Sequence, residues 1–424
     1  MRRRRFAAAV MAAALMAAAL AGCGDAGSSK AESKTSGSTA ESAAESAPAE
    51  ESSEAEKQPE TEEEWHLAML KKSLCSMGDT TKLKEKIAKA ENGEKVTMAY
   101  LGGSITEGIS AGDELCYAKL SYEHFKSDFG KGDNVEYVNA GISGTPSKLG
   151  NMRLQRDVLC HEPDICFVEF AVNDGSDDEY QAAYESIVRD LIEKDCAVIL
   201  LFSVTAEDYS AQDYMKKIGE YYGLPMISYC DALRYMFENG KMKWEDFSDD
   251  KSHPNVQGHA IVAEMIDYFF TQAAALEARP VTVPAEPLSI MVQQGMELLE
   301  NDGIKPESLG SWKEGTSTAH FTKGWTYEPG GNNEPLVFKF KGKFAHIVFK
   351  EVSAGKFGSL HVKITCDGKA YDEKDIKTKT KDGWGGPNTA LLGMQVAEKE
   401  YTLEISMAEG SEDLNAEILA LAHN

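Results

Sequence analysis

Two short stretches of the sequence contain side chains that together can carry out acyl transfer. Ser104 follows Gly102 and Gly103 at the end of an apolar run, and Asp250 stands three residues before His253. A serine hydroxyl is a weak nucleophile until a nearby base removes its proton, and imidazole suits that task near neutral pH. A carboxylate beside the ring fixes the ring's orientation and tautomer. These residues therefore have the types that Ser-His-Asp chemistry requires.

Each stretch by itself also fits a purely structural role. A strand followed by Gly-Gly-Ser suits an ordinary turn or a phosphate cradle, although Ile105-Thr106-Glu107 does not supply the Gly-Lys-Ser/Thr of a P-loop. The Asp-x-x-His pair suits a helix cap beside a surface histidine, and Asp249 is a second candidate for the orienting carboxylate. The hypothesis therefore depends on what the rest of the chain places beside Ser104.

Two further loops offer hydrogen-bond donors. Asn139–Gly144 (NAGISG) follows a predicted strand, and Asn173 closes another. The side-chain amide of Asn173 can donate a hydrogen bond into a site at this place. A plain turn at Gly144 and a helix cap at Asn173 are the structural alternatives.

The elements that must position these residues alternate between strand and helix. Apolar runs predict strands at Val96–Leu101, Asn134–Asn139, Asp164–Val172, Ala197–Val204 and Pro225–Tyr229. Helical spacing covers Trp65–Gly93, Cys116–Phe129, Met152–Leu159, Tyr180–Lys194, Gln212–Tyr222, Ala232–Asn239 and Pro254–Ala275. This order predicts a parallel sheet between two layers of helices, an α/β/α domain over residues 65–277. Its site belongs at the carboxyl ends of the strands.

The pattern changes at the Pro-rich link Ala278–Pro287. A transitional helix is expected over Leu288–Glu300, after which the apolar period becomes two. Short strands at Leu336–Phe340, Ala345–Lys350, Ser359–Thr365 and Tyr401–Met407 predict an all-β sandwich, jelly-roll-like, as a second domain over residues 278–424. Trp325 and Trp384 lie near its Gly-rich loops, and both core packing and stacking on sugars stay open.

The amino terminus resembles a bacterial lipoprotein signal. Arg2–Arg5 precede the apolar stretch Phe6–Ala21, and Leu20-Ala21-Gly22-Cys23 implies cleavage before Cys23 with lipid on its sulfur. An ordinary secretory signal is the alternative. Residues 24–64, rich in Ser, Ala and Glu, cannot bury enough surface to fold and are expected to form an acidic tether. The resemblance implies an extracytoplasmic protein anchored to a bacterial membrane, with the choice of membrane open.

Charge and cysteine spacing exclude several classes of partner. The formal net charge is −25, which argues against nucleic acid, since phosphates attract Lys and Arg. Eight cysteines include no C-x-x-C pair, so neither a zinc site nor a redox pair is indicated. We expect no metal and no cofactor, and the oligomeric state stays open.

Four blocks in this order, GGSIT, NAGISG, AVND and DKSHPN, resemble the SGNH (GDSL-like) hydrolase family over roughly residues 65–275. The resemblance implies that Ser104 is the nucleophile, that His253 is the general base and acid, and that Asp250 orients His253. It also implies an oxyanion hole formed by the backbone N–H groups of Ser104 and Gly144 and the side-chain amide of Asn173.

The sequence departs from the common family pattern at two positions. Gly103 stands where the family usually has Asp, and Ala171 where it usually has Gly. Both resemble a variant subgroup found among carbohydrate esterases. That likeness implies removal of small acyl groups, acetyl above all, from glycans. The alternatives are a lipase, lysophospholipase or thioesterase, for which no apolar lid segment is visible, and a non-catalytic glycan-binding lipoprotein, which the complete triad argues against.

Two polar residues in apolar surroundings remain outside this scheme. His259 falls in the first turns of the last helix, where a packed or capping role is favoured over a catalytic one. Glu169 interrupts an apolar strand close to the AVND block. We expect it to be paired near the site, with its role open.

Overall fold

The computed structural model describes residues 58–424. The predicted signal of residues 1–23, its Cys23 and most of the tether 24–64 lie outside the described residues. Within residues 58–424 no helix is both long and apolar enough to cross a membrane. The seven cysteines in this part of the chain are all unpaired.

The first domain is an α/β/α sandwich, as the sequence predicts. Its strands are β1 (Leu74–Ser76), β2 (Val96–Gly102), β3 (Val135–Gly141), β4 (Ile165–Glu169), β5 (Ala197–Phe202) and β6 (Met226–Ser228). They form one sheet in the order β1-β6-β5-β4-β2-β3. β2 to β6 pair in parallel, whereas β1, which the sequence analysis missed inside a predicted helix, runs antiparallel to β6.

Helices cover both faces of this sheet. They are α1 (Glu62–Ser73), α2 (Thr81–Glu91), α3 (Ser104–Glu107), α4 (Tyr117–Phe129), α5 (Ser147–Asp157), α6 (Asp178–Glu193), α7 (Gln212–Tyr221), α8 (Tyr229–Glu238), α9 (Trp244–Phe247) and α10 (Val256–Ala275). Alternate residues of β2 enter different apolar clusters: Met98 and Tyr100 on one face, Ala99 and Leu101 on the other. Burial of the sheet on both faces explains the nearly continuous apolar strands.

The strand order places the site. From β2 the chain moves to β3 on one side and then crosses to β4 on the other side of β2. The carboxyl end of β2 is therefore the point where the winding reverses, which is where open α/β sheets form a crevice. Ser104 lies two residues after the end of β2.

The second domain is all-β and antiparallel, as predicted. Its strands are β7 (Glu297–Leu299), β8 (Trp312–Glu314), β9 (Trp325–Tyr327), β10 (Leu336–Val352), β11 (Leu360–Cys366), β12 (Lys369–Ile376), β13 (Trp384–Met407) and β14 (Glu417–His423). Within the described residues they make one connected eight-stranded sheet. Two predicted strands merge into β10, because the ladder crosses Gly342 with a shift in register rather than a break. Phe338 and Ile347, from the two halves of β10, share one core.

The predicted transitional helix at residues 288–300 is wrong. The segment is irregular until β7, and its backbone N–H groups bond to side chains of α6 instead of to a helix ladder. Leu288 and Ser289 donate to the Glu185 carboxylate at 2.6 and 2.7 Å, and Gly295 donates to Asp190 at 2.9 Å. Tertiary contacts thus override a helix-like apolar pattern.

We expect Glu185→Gln to loosen this connection, because an amide nitrogen cannot accept the Ser289 N–H. Leaving this half-buried donor without a partner lowers the free energy of unfolding by about 1 kcal/mol, the lower end of the range for an unsatisfied buried group. Urea unfolding measures the change. Glu193→Gln is the matched control: this exposed residue of α6 accepts from the Gln294 side-chain amide at 2.8 Å, and a glutamine side-chain oxygen can still accept there, so stability should change by less than about 0.5 kcal/mol. Equal losses in the two variants would contradict this account.

Candidate active site

Ser104 lies at the tight junction between β2 and α3. It is the first residue of α3 and its side chain is largely buried. The Glu107 N–H donates to the Gly103 carbonyl at 3.0 Å, and the Gly108 N–H donates to the Ser104 carbonyl at 3.1 Å. These bonds close a single helical turn directly after the strand. The hydroxyl is thereby fixed at the carboxyl edge of the sheet.

An unbroken hydrogen-bond chain links Ser104, His253 and Asp250. The His253 Nε2 atom lies 2.9 Å from Ser104 Oγ, and His253 Nδ1 lies 2.7 Å from Asp250 Oδ2. Asp249, the alternative carboxylate, is exposed and accepts from Asn255 instead. The structure thus places Asp250, and not Asp249, beside the imidazole.

The loop before α10 fixes both partners of Ser104. Burial alone would raise the pKa of Asp250, but hydrogen bonds from the backbone N–H groups of His253 and Ser252 and from the imidazole hold this pKa below its usual value. Both N–H groups donate to Asp250 Oδ1 at 2.7 Å. Asp250 is therefore ionised at neutral pH, and His253 carries its proton on Nδ1 with Nε2 free to accept from Ser104.

Two residues that the sequence analysis missed brace this loop. The Ser248 Oγ atom lies 2.6 Å from the His253 carbonyl oxygen, and the Trp244 indole donates to the Asp250 carbonyl at 2.6 Å. Both residues precede the DKSHPN block by only a few positions. Neither the residue types nor their spacing indicates that these side chains hydrogen-bond to backbone carbonyls of the DKSHPN block.

Gly144 and Asn173 lie on the loops that follow β3 and β4, the two strands flanking β2. Gly144 has φ +67°, a conformation that favours glycine. Asn173 lies directly against Gly103, where an added Cβ would stand 2.5 Å from its Oδ1 atom. Glycine in the GGS motif therefore leaves room for the Asn173 amide. This gives a steric reason for the departure from the common G-D-S pattern.

Two carboxyl groups, the half-buried Glu107 and the buried Asp174, hold these two loops in place. Glu107 accepts from the Ser143 N–H at 2.7 Å and from the Ser143 hydroxyl, which fixes the residue before Gly144. Asp174, next to Asn173, accepts from the Ser147 N–H at 2.7 Å. Burial raises the pKa of Asp174 to about 7, against the opposing effect of this hydrogen bond. Neither carboxyl group is indicated by its sequence surroundings.

The all-β domain contributes directly to the site. Trp384, the first residue of β13, places its indole ring against Gly144 and remains 48% exposed. His320 Nε2 lies 3.3 Å from the Glu107 carboxylate. Trp325, the other tryptophan considered for sugar binding, is fully buried and packs edge-on against Phe338. Of the two indoles, Trp384 therefore lies at the site and Trp325 in the core.

His259 has a structural environment, as its position in α10 suggests. Its Nδ1 atom accepts from the Tyr117 N–H at 3.0 Å, and its Nε2 atom faces the Ile109 carbonyl oxygen at 3.3 Å. Burial lowers the pKa of His259 to about 4. This histidine is thus neutral and joins α10 to the residues after α3. Among the described residues, no group of three or more His, Cys, Asp or Glu side chains is arranged to hold a metal ion.

The sequence of the α/β domain and the architecture of both domains match known proteins. Residues 100–261 match the GDSL-like Lipase/Acylhydrolase family, so this part of the chain is a domain of that family. A two-domain esterase active on acetylated mannans, crystallised with mannopentaose, is 27% identical with a TM-score of 0.73, and the match covers 84% of this chain and 97% of that one. A further structure of a two-domain esterase active on acetylated mannans is 26% identical with a TM-score of 0.71, over 84% and 98%. Curated proteins gave no match.

These likenesses identify an enzyme that hydrolyses ester bonds, built from a GDSL-like domain and an antiparallel all-β domain. The two similar structures align with nearly their whole length. The pairing of the two domains is therefore common to this chain and to those esterases.

We expect Gly103→Ala to displace Asn173, because the new Cβ would overlap the amide oxygen. A displacement of this kind lowers kcat by about 100-fold. Hydrolysis of a nitrophenyl acetate measures the loss. Gly303→Ala is the matched control, since the nearest atom to a Cβ there is 3.6 Å away. Wild-type kcat in Gly103→Ala would refute the proposed contact.

Proposed function

We propose that this protein is an extracytoplasmic, lipid-anchored serine esterase that removes small acyl groups, acetyl above all, from glycans. The observation that supports it most strongly is the Ser104–His253–Asp250 hydrogen-bond chain, with contacts of 2.9 and 2.7 Å at the carboxyl edge of a GDSL-like domain.

The first half of the proposed reaction transfers the acyl group to Ser104. His253 Nε2 takes the Ser104 proton while Oγ attacks the ester carbonyl carbon. The resulting oxyanion receives hydrogen bonds from the N–H groups of Ser104 and Gly144 and from the Asn173 amide, and each such donor contributes about 3 kcal/mol. His253 then donates its proton to the sugar oxygen as the C–O bond breaks.

The second half of the reaction frees the enzyme. Water enters, His253 removes one of its protons, and the water oxygen attacks the acyl carbon on Ser104. The oxyanion that forms again accepts hydrogen bonds from the N–H groups of Ser104 and Gly144 and from the Asn173 amide. Collapse breaks the bond to Ser104 Oγ, which regains a proton from His253, and the carboxylic acid leaves. Asp250 stabilises the imidazolium in both halves.

A glycan substrate is supported by the position of Trp384. A half-exposed indole from the second domain stands beside the loop of Gly144, and a flat aromatic face is well suited to stack on a sugar ring. The two similar structures are esterases active on acetylated mannans. Both observations favour an acetylated glycan over a lipid.

The proposed location follows from the amino terminus alone. The basic Arg2–Arg5, the apolar Phe6–Ala21 and the placement of Cys23 support a lipid anchor on Cys23. The acidic segment that follows would then hold the catalytic domain away from an anionic bilayer. Mass spectrometry of the protein from a membrane fraction would show a lipid-modified Cys23 at the new amino terminus, and an unmodified residue there would overturn the anchor.

We expect Ser104→Ala to abolish ester hydrolysis. Among the described residues, the Ser104 hydroxyl is the group that hydrogen-bonds to His253 Nε2, and the variant lacks it. The loss in kcat should be at least about 10⁴-fold. A nitrophenyl acetate assay with residues 58–424 measures it. Ser252→Ala, two residues from Asp250 in the same loop, is the control and should retain most of the activity. Equal rates for Ser104→Ala and wild type would refute the nucleophile.

We expect Trp384→Ala to impair glycan hydrolysis more than hydrolysis of a small ester. Loss of a stacking platform costs about 1–2 kcal/mol, so KM for acetylated mannan should rise about 10-fold. Acetate release from acetylated mannan, acetylated xylan and phospholipid is compared with nitrophenyl acetate hydrolysis. Fatty-acid release from phospholipid, with no acetate from either glycan, would instead support the lipase alternative.

A further inference from the structure

Glu169 is a fully buried carboxyl group at the centre of the site's edge. It is the last residue of β4 and pairs with Gly102 in the parallel ladder, two residues before Ser104. β4 lies between β5 and β2, so its final side chain can reach the ends of both neighbours. An unpaired carboxylate in such a place would be costly, so its partners matter.

Its partners come from the turn that carries Ser104 and from the end of β5. The Thr106 hydroxyl donates to Glu169 Oε2 at 3.1 Å, and the Ser203 hydroxyl donates to Oε1 at 2.5 Å. The Gly103 N–H lies close enough to lower the pKa of this carboxyl group. Gly103 and Thr106 bracket Ser104 in the sequence. Glu169 therefore binds the nucleophile turn through the Thr106 hydroxyl and acts electrostatically on the Gly103 N–H.

Few titratable groups face Glu169. Tyr117 from α4, Tyr184 from α6 and Tyr229 from α8 interact with it electrostatically, and burial keeps the pKa of each tyrosine well above its usual value. They are therefore neutral at every working pH. His253 is the interacting group that can carry a positive charge.

His253 is itself faced by two other titratable groups. Asp250 binds its Nδ1 atom and stays ionised, and His259 interacts with it from α10 while neutral. Neither of these changes its charge between pH 5 and 8. Glu169 does so, because burial raises its pKa to about 7 against the opposing hydrogen bonds from Ser203 and Thr106. Among the groups that interact with His253, Glu169 is thus the one whose charge changes between pH 5 and 8.

We propose that Glu169 is a positioning residue of the esterase: it holds the Gly103–Thr106 turn, and its negative charge stabilises the imidazolium of His253. The proposal rests on the role of His253 in the proposed function. An ionised Glu169 favours protonation of His253, so it moves the acid limb of the pH–rate profile to higher pH. It also favours the imidazolium that forms as Ser104 attacks, so it raises the plateau rate.

The test is the pH profile of kcat/KM for nitrophenyl acetate in Glu169→Gln, which keeps the shape but removes the charge. The acid limb should move to lower pH by about 0.5–1 unit, and the plateau should fall about 3- to 10-fold. Asp190→Asn is the control: this buried carboxyl also has a pKa raised by burial, but it binds Gly295 on the connecting segment. Its acid limb should stay in place.

Thr106→Val separates the two roles, because it removes one hydrogen bond and keeps the charge. It should lower kcat about 3- to 10-fold without moving the acid limb to lower pH. An unmoved limb in a folded Glu169→Gln, or unchanged kcat in Thr106→Val, overturns the proposal. If wild type shows neither ester hydrolysis nor an acid limb, it is the proposed function that fails.

Discussion

The alignment of three parallel strand ends is the constraint on which the site depends. Gly102 of β2 pairs with Gly141 of β3 on one side and with Glu169 of β4 on the other. All three strands therefore end at one level of the sheet, and the residues that follow each strand form the candidate site. Ser104 follows two residues later, and Gly144 and Asn173 follow within four. A one-residue slip in either pairing would separate them.

The features that the sequence predicts correctly are those set by short local patterns of residues. The apolar strands, the alternation with helices and the Gly-Gly-Ser turn are all encoded within short windows, so the sheet and the places of Ser104, Gly144 and Asn173 follow from them. The helix expected near residue 290 failed because its backbone N–H groups find carboxylates on α6, a contact distant in sequence. The short edge strand β1 was missed for a related reason, since pairing with β6 defines it.

The contribution of the second domain to the site was also beyond sequence reasoning. Trp384 follows Gly144 by more than two hundred residues, and only the packing of the domains brings the two together. The contact between His320 and Glu107 has the same origin. A loop that carries a proposed oxyanion donor is thus held partly by the other domain. Substrate access and catalytic geometry then depend on one shared interface.

In the proposed reaction, Ser104 carries the acyl group between the two halves of the cycle. Acid quenching during nitrophenyl acetate turnover, followed by peptide mass spectrometry, tests this directly. We expect one acetyl group on the peptide containing Ser104, with the modification localised to that residue. Rapid turnover on an enzyme whose Ser104 peptide never gains an acetyl group, or acetylation at another residue that turns over at the catalytic rate, would contradict it.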